Sequence, residues 1–171
     1  MATKVAQFKK VSYEQFNSDW IKQFGSIPTG FYDIYENIII PKRATEGSAG
    51  YDFYTPIEIE LNPNQEITIP TGIRCEFSNQ DYALFMFPKS GLGFKFYSRL
   101  ANSVGIIDSD YYYSDNEGHI MIKIRNDGDK VMTVKCGKGF VQGIFLQYGI
   151  TSNDNQDEKD VRNGGFGSTS K

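Results

Sequence analysis

Apolar and polar residues alternate through much of the middle of the chain. Ile57, Ile59 and Leu61 are separated by Glu58 and Glu60. Ile67 and Ile69, then Ile73, Cys75 and Phe77, keep the same step, as do Ile120, Ile122 and Ile124. A period of two buries one face of a strand and leaves the other wet. Two further runs, residues 82–88 and 139–146, are apolar over a strand's length. Turn formers punctuate the pattern: Asn62-Pro63-Asn64, Thr71-Gly72, Ser78-Asn79-Gln80-Asp81 and Asn126-Asp127-Gly128-Asp129. Short strands at this spacing predict an all-β fold over residues 34–150: a sandwich, jelly roll or barrel.

The first 33 residues follow another rhythm. Tyr13, Phe16, Trp20 and Phe24 recur at steps of three and four, which places them on one helical face. Ser12 and Gln15 have capping-box spacing, Val11 and Phe16 that of a hydrophobic staple, and Gly25 is a natural stop. The spacing predicts an amphipathic helix over residues 12–24 in an N-terminal extension, its aromatic face docked on the domain. At the other end, residues 151–171 begin with Asn153-Asp154-Asn155-Gln156-Asp157-Glu158-Lys159-Asp160, too polar to bury. They read as a flexible tail.

Composition narrows the function. Lys and Arg total 18 against 21 Asp and Glu, a net charge of −3, so no basic excess drives nucleic-acid binding. One histidine and two cysteines cannot supply the four ligands of a His/Cys zinc site, and a Ser-His-Asp triad could use only His119. Cys75 and Cys136 lie in or beside strand patterns and read as buried, inert thiols. No apolar run approaches the ~20 residues of a membrane span, and the first ten residues lack a signal core. A cytoplasmic protein is the expectation.

Five segments break the strand pattern. Ala49-Gly50-Tyr51-Asp52-Phe53 sets an acid in an apolar run. Pro88-Lys89-Ser90-Gly91-Leu92-Gly93 is a Gly-rich turn with a cation and a hydroxyl, able to face a phosphate. Asn102-Ser103-Val104-Gly105-Ile106-Ile107-Asp108-Ser109-Asp110-Tyr111 brings two carboxylates and a phenol after an apolar stretch. Gly137-Lys138-Gly139-Phe140-Val141-Gln142 leads a turn into a strand bearing an amide. The tail holds Arg162-Asn163-Gly164-Gly165-Phe166-Gly167-Ser168-Thr169. Acids without catalytic histidine suit metal-assisted phosphoryl chemistry better than acyl transfer.

In this order and spacing the five segments resemble the motifs of the trimeric dUTP diphosphatases, the dUTPases, from about Tyr35 to Thr169. The resemblance implies a jelly-roll-like β-barrel, a homotrimer with sites at subunit interfaces, and Mg²⁺-assisted water attack on the α-phosphate of dUTP. The products would be dUMP and pyrophosphate; uracil is kept out of DNA and dUMP supplied for dTMP synthesis. Asp108 matches the carboxylate that deprotonates the attacking water. Tyr111 matches the ring packed on the deoxyribose, Gly105, Ile106 and Ile107 the hairpin that reads the uracil edge, and Asn102 its support. Lys89, Ser90, Gly91 and Gln142 match phosphate-binding positions, and Asp52 the acid that holds the water shell of Mg²⁺. In the tail, Arg162 matches a γ-phosphate contact, Phe166 a ring stacked on uracil, and Gly167, Ser168 and Thr169 phosphate contacts.

Four features depart from the family pattern, one being a fifth motif about one residue shorter between Arg162 and Phe166 than the common form. Lys89 stands where Arg is usual, and keeps charge without the bidentate fork. A longer loop, residues 112–118, follows Tyr111. The 1–33 extension has no counterpart in the minimal family member; its helix and the 112–118 loop are surfaces open to a protein partner. A related activity, dCTP deamination, would need a glutamate shortly after the third motif, where only Glu117 stands.

Overall fold

The computed structural model describes residues 3–154 and Gly164. Twelve strands and three helices follow one another among them: β1 Ala6–Lys10, α1 Tyr13–Phe24, α2 Phe31–Glu36, β2 Lys42–Arg43, β3 Tyr51–Tyr54, β4 Ile59–Leu61, β5 Glu66–Pro70, β6 Ile73–Phe77, β7 Tyr82–Pro88, α3 Ser90–Phe96, β8 Arg99–Leu100, β9 Gly105–Ile107, β10 Met121–Arg125, β11 Met132–Val134 and β12 Gly139–Gln147. A 3₁₀ turn, Ser109–Tyr113, lies between β9 and β10. The strands form four sheets, ordered β1-β6, β5-β10-β8, β11-β4 and β2-β3-β12-β7-β9. They wrap a core in which Phe53, Ile59, Ile69, Leu84, Met86, Ile120, Ile124, Met132 and Phe140 are fully enclosed. This is the expected all-β, jelly-roll type of arrangement, built from separate sheets rather than one closed cylinder.

The extension is woven into that core. β1 pairs antiparallel with β6, Phe8 opposite Cys75, and Phe8 meets Phe53 edge-on at 5.4 Å. The short pattern of Ala6 and Phe8 carried no strand signal, because its partner is some 70 residues downstream. Helix α1 starts as its sequence suggests. Ser12 Oγ accepts from the Gln15 N–H at 3.1 Å, and Val11 and Phe16 are both buried beside the cap. Gly25 closes it at φ 80°. The return arm of the capping box differs: the Ser12 N–H goes to the Glu117 carboxylate at 2.8 Å, not to Gln15. Phe16 stacks on Phe31 at 5.2 Å and 8°, and Trp20 abuts both.

Helix α2 crosses residue 33 and has no side-chain N-cap. Its other end is held by Lys10, whose Nζ donates to the Tyr35 and Glu36 carbonyls at 3.0 and 2.8 Å. A cation there offsets the negative end of the helix dipole. Two expectations need correction. The segment from Ser90 is the short helix α3 rather than a turn: the Lys89 carbonyl accepts from the Leu92 and Gly93 N–H groups, and Phe96 is buried beneath. Cys136 is exposed, since its residue follows the end of β11; only Cys75 is a buried thiol.

Candidate active site

One half of the site is a cavity of about 200 Å³ beside β7, β9 and β10. Asn102, Gly105, Ile106, Ile107 and Tyr111 all line it, together with Met86. The hairpin that presents them is tight. Ser103 adopts φ 65°, and the Val104 N–H reaches the Asn102 carbonyl at 2.7 Å. At Gly105 a Cβ would stand 3.1 Å from the Met86 Cβ, so a side chain there would push β9 off β7. Beyond β9, Asp108 opens the 3₁₀ turn, and its carbonyl accepts the Tyr111 N–H at 3.2 Å. One turn therefore carries both the half-buried carboxylate and the tyrosine. Tyr111 is 6% exposed; its hydroxyl donates to the His119 carbonyl at 2.8 Å and accepts from Asn116 Nδ2 at 2.9 Å.

The other half gathers Asp52 of β3, Gln142 of β12 and Lys89 just after β7. Lys89 Nζ lies 2.8 Å from Asp52 Oδ2. Gln142 is in register with both Asp52 and Phe87 and donates to the Pro88 carbonyl at 3.4 Å. Two glycines make room: a Cβ on Gly50 would come 2.6 Å from Gln142 Oε1, and one on Gly139 3.2 Å from Lys89 Nζ. Ser90 and Gly91 open α3 beside this cluster and are exposed. Burial, reinforced by the Asp52 charge and opposed by Lys89, raises the nearby Tyr54 phenol above its usual range. Among the described residues no group of three or more His, Cys, Asp or Glu could by itself hold a metal.

The halves face opposite ways. Successive residues of a strand point to opposite faces, and residues directly paired across strands share a face. Met86 pairs with Gly105 on one side and Gly143 on the other, and a Cβ on Gly143 would strike Leu84, Met86 and Phe53. That face is the core. Asp52, Gln142 and Phe87, one residue out of step, share the outer face of the same sheet.

The dUTPase family model matches residues 36–170. The chain belongs to the dUTPase family. It is 41% identical over 138 residues to a deoxyuridine 5'-triphosphate nucleotidohydrolase of Lactococcus lactis, covering 79% of this chain and 91% of the relative. The fold is similar to the crystal structure of a dUTPase from Streptococcus mutans, with TM-score 0.62, 28% identity, and coverage of 85% of this chain and 98% of that one. It is also similar, in fold alone at 16% identity, to the dUTPase of phage phi11 of S. aureus; the TM-score is 0.62 and coverage 92% and 99%.

Within this dUTPase chain the sequence-derived residues fall into the two groups just described, while Arg162, Phe166, Gly167, Ser168 and Thr169 lie outside the described residues. The cavity wall of Met86 and the props of Tyr111, Asn116 and the His119 carbonyl were not foreseen. Asn116 lies in the irregular 112–118 loop, which carries no periodic signal. His119 cannot serve a triad: it is fully buried, its Nε2 accepts from the Gly72 N–H at 2.8 Å, and its Nδ1 meets Asp19 at 2.7 Å. Glu117, the acid a deaminase would need, is committed to Ser12 through its N–H and its hydroxyl, at 2.8 and 2.6 Å. Burial works to raise Glu117, but the Ser12 hydrogen bonds and the Arg74 charge outweigh it and lower its carboxyl.

Proposed function

We propose that this chain hydrolyses dUTP to dUMP and pyrophosphate, with Mg²⁺, at sites shared between the protomers of a homotrimer. The supporting observation is the pair of half-sites on opposite faces of one sheet. A nucleotide with its base in the cavity of one copy can lay its phosphates along Asp52, Lys89, Ser90, Gly91 and Gln142 only if a neighbouring copy presents its outer face there. Backbone groups of Gly105, Ile106 and Ile107 would read the uracil edge with Asn102 as support. Cytosine would leave buried groups unpaired, which is costly. The Tyr111 ring, fixed by its own hydroxyl, would leave no room for a 2'-hydroxyl.

Asp108 would take a proton from water as the water oxygen bonds to the α-phosphorus. The bond to the bridging oxygen breaks, and pyrophosphate leaves. A carboxylate suffices for this task when the water is held in line. The donor set fits Mg²⁺, since that ion keeps several waters and takes phosphate oxygens as ligands, so one carboxylate, Asp52, is enough. Bound there, Mg²⁺ would supply charge neutralisation on the phosphates. Lys89, which bridges to Asp52, would add a point charge in place of an arginine fork. Arg162 would contact the γ-phosphate, Phe166 would stack on uracil, and Gly167, Ser168 and Thr169 would complete the phosphate contacts. In a cytoplasmic setting the reaction would keep uracil out of DNA and supply dUMP for dTMP synthesis.

The test mixes two defective proteins. Asp108→Asn disables the base half and Asp52→Asn the phosphate half. Each alone should lose dUTP turnover, Asp108→Asn by about 10²–10⁴-fold, the worth of a general base. Co-refolded mixed oligomers from a 1:1 mixture should recover up to about a quarter of wild-type pyrophosphate release, because in a ring of three only about one interface in four then joins two intact halves. No recovery in oligomers shown by mass to be mixed would place each site within one chain. Equal turnover of dUTP, UTP and dCTP would refute the substrate assignment.

A further inference from the structure

Several polar contacts of the extension reach the segment that follows Tyr111. Two of them matter. On α1, Asp19 is 6% exposed, and its Oδ2 accepts hydrogen bonds from His119 Nδ1–H at 2.7 Å and from Gln15 Nε2 at 2.8 Å. The tautomer follows from the other ring nitrogen, which accepts the Gly72 N–H. At the α1 cap, Ser12 gives both its N–H and its hydroxyl to Glu117. A third tie comes from β6: Arg74 donates to the Tyr112 carbonyl at 2.6 Å, lies 3.6 Å over the Tyr112 ring, and faces Glu117 at 3.7 Å.

These ties hold a backbone that would not hold itself. Glu117 sits at φ 57°, a region that disfavours side-chain-bearing residues. Gly118 follows at φ 69°, and a Cβ on it would come 2.6 Å from the Tyr111 carbonyl oxygen. The 112–118 loop is thus folded back onto the turn bearing Tyr111. It delivers Asn116 and the His119 carbonyl to the Tyr111 hydroxyl. Ser12 and Asp19 both lie upstream of residue 36, where the family match begins.

We infer that the extension is a positioning element for Tyr111: Asp19 through His119, and Ser12 through Glu117, fix the loop that orients the tyrosine against the sugar. Discrimination against a 2'-hydroxyl then depends on residues of α1 that never touch the nucleotide. This rests on the reading of Tyr111 as the sugar-facing wall. Steric rejection of one oxygen needs a ring held in place, because a ring free to tilt readmits it.

The readout is the ratio of kcat/KM for dUTP to that for UTP, measured on the full chain. Asp19→Ala and Ser12→Ala should each narrow it by about three- to tenfold, the worth of one positioning hydrogen bond, mostly through better use of UTP. Asp19→Asn, whose amide oxygen can still accept from His119, should restore most of it. Ile59→Val, a core change in β4 away from the loop, serves as a control that loses stability without touching the ties; its ratio should equal that of the wild type. Tyr111→Ala separates the two layers of the argument. An unchanged ratio in Tyr111→Ala would overturn the reading of the tyrosine itself. A narrowed ratio there, with wild-type ratios in folded Ser12→Ala and Asp19→Ala, would overturn the positioning role alone. A narrowing in Ile59→Val as large as in Asp19→Ala would reduce the effect to general loosening, also against the inference. Ser12→Ala removes little packing, so it remains readable should Asp19→Ala fail to fold.

Discussion

Replacing Phe16 with alanine tests whether the extension belongs to the cooperative unit of the domain. Phe16 is 0% exposed and is ringed by Phe31, Trp20, Tyr35 and His119 at 5.2 to 6.1 Å between ring centres. Emptying such a site costs about 3–5 kcal/mol, the lost transfer energy plus the cavity left behind. For a chain of this size each kcal/mol moves the melting point by about 2–4 °C, so Phe16→Ala should melt about 6–20 °C lower. Ile21, on the same helix but 45% exposed, gives the contrast: Ile21→Ala should stay within about 0.5 kcal/mol of wild type. The protein supplies its own reporter. Trp20 is the only tryptophan, sits on α1 and is 4% exposed, so its fluorescence follows undocking of the helix. Far-UV circular dichroism follows the whole fold. At one fixed protein concentration the two transitions should coincide in the wild type and shift together in the variant. A Trp20 transition well below the dichroism transition, or a Phe16→Ala melting point within 2 °C of wild type, would refute the claim that extension and sheets unfold as one body.

Acid should loosen the same contacts. Burial works to raise Asp19, but hydrogen bonds from His119 and Gln15 and the Lys22 charge outweigh it, so its carboxyl lies below the ordinary 3.8; Glu117 likewise lies below 4.5. Depressed carboxyls contribute stability that is present above those ordinary values and is lost as the pH falls through the folded ones. Urea midpoints should therefore drop below about pH 4.5 in the wild type and fall less steeply in Asp19→Asn, where Glu117 still contributes; an unaltered acid limb would exclude Asp19 as a contributor. The thiols should separate in a disulfide-exchange titration of the native protein. Cys136 is exposed and should react at once, while Cys75, whose thiol burial pushes far up, should react only on unfolding; two fast thiols would contradict the β1–β6 packing over Cys75.

Local signals were legible and long-range ones were not. Helix α1 announced itself because its cap, staple, aromatic stripe and terminal glycine all sit within 15 residues, and each acts through neighbours in the chain. The alternating strands were legible for the same reason. β1 was not, since five residues with one aromatic acquire meaning only against β6. Helix α3 read as a turn because two glycines in seven residues argue against helix; the Lys89 carbonyl and buried Phe96 override that local preference. Cys136 misled because position beside a strand does not reveal which way the next loop turns. At the site, the motifs named the residues, yet their division between two faces of one sheet needed the register of β7 against β9 and β12.

The bond between Asp19 and His119 spans 100 residues, and it has a consequence for synthesis of the chain on the ribosome. Helix α1 is made first, but its anchors at residues 117 and 119 emerge last among its partners. At about 5–20 residues per second, the aromatic stripe of α1 waits about 5–20 s before His119 leaves the peptidyl-transferase centre, and longer before it clears the exit tunnel. Through that interval Phe16 and Trp20 can pack on each other and on Phe31 and Tyr35, while Ser12 and Asp19 still lack their distant partners. The amino end of this protein is thus the first part translated and among the last to reach its final contacts.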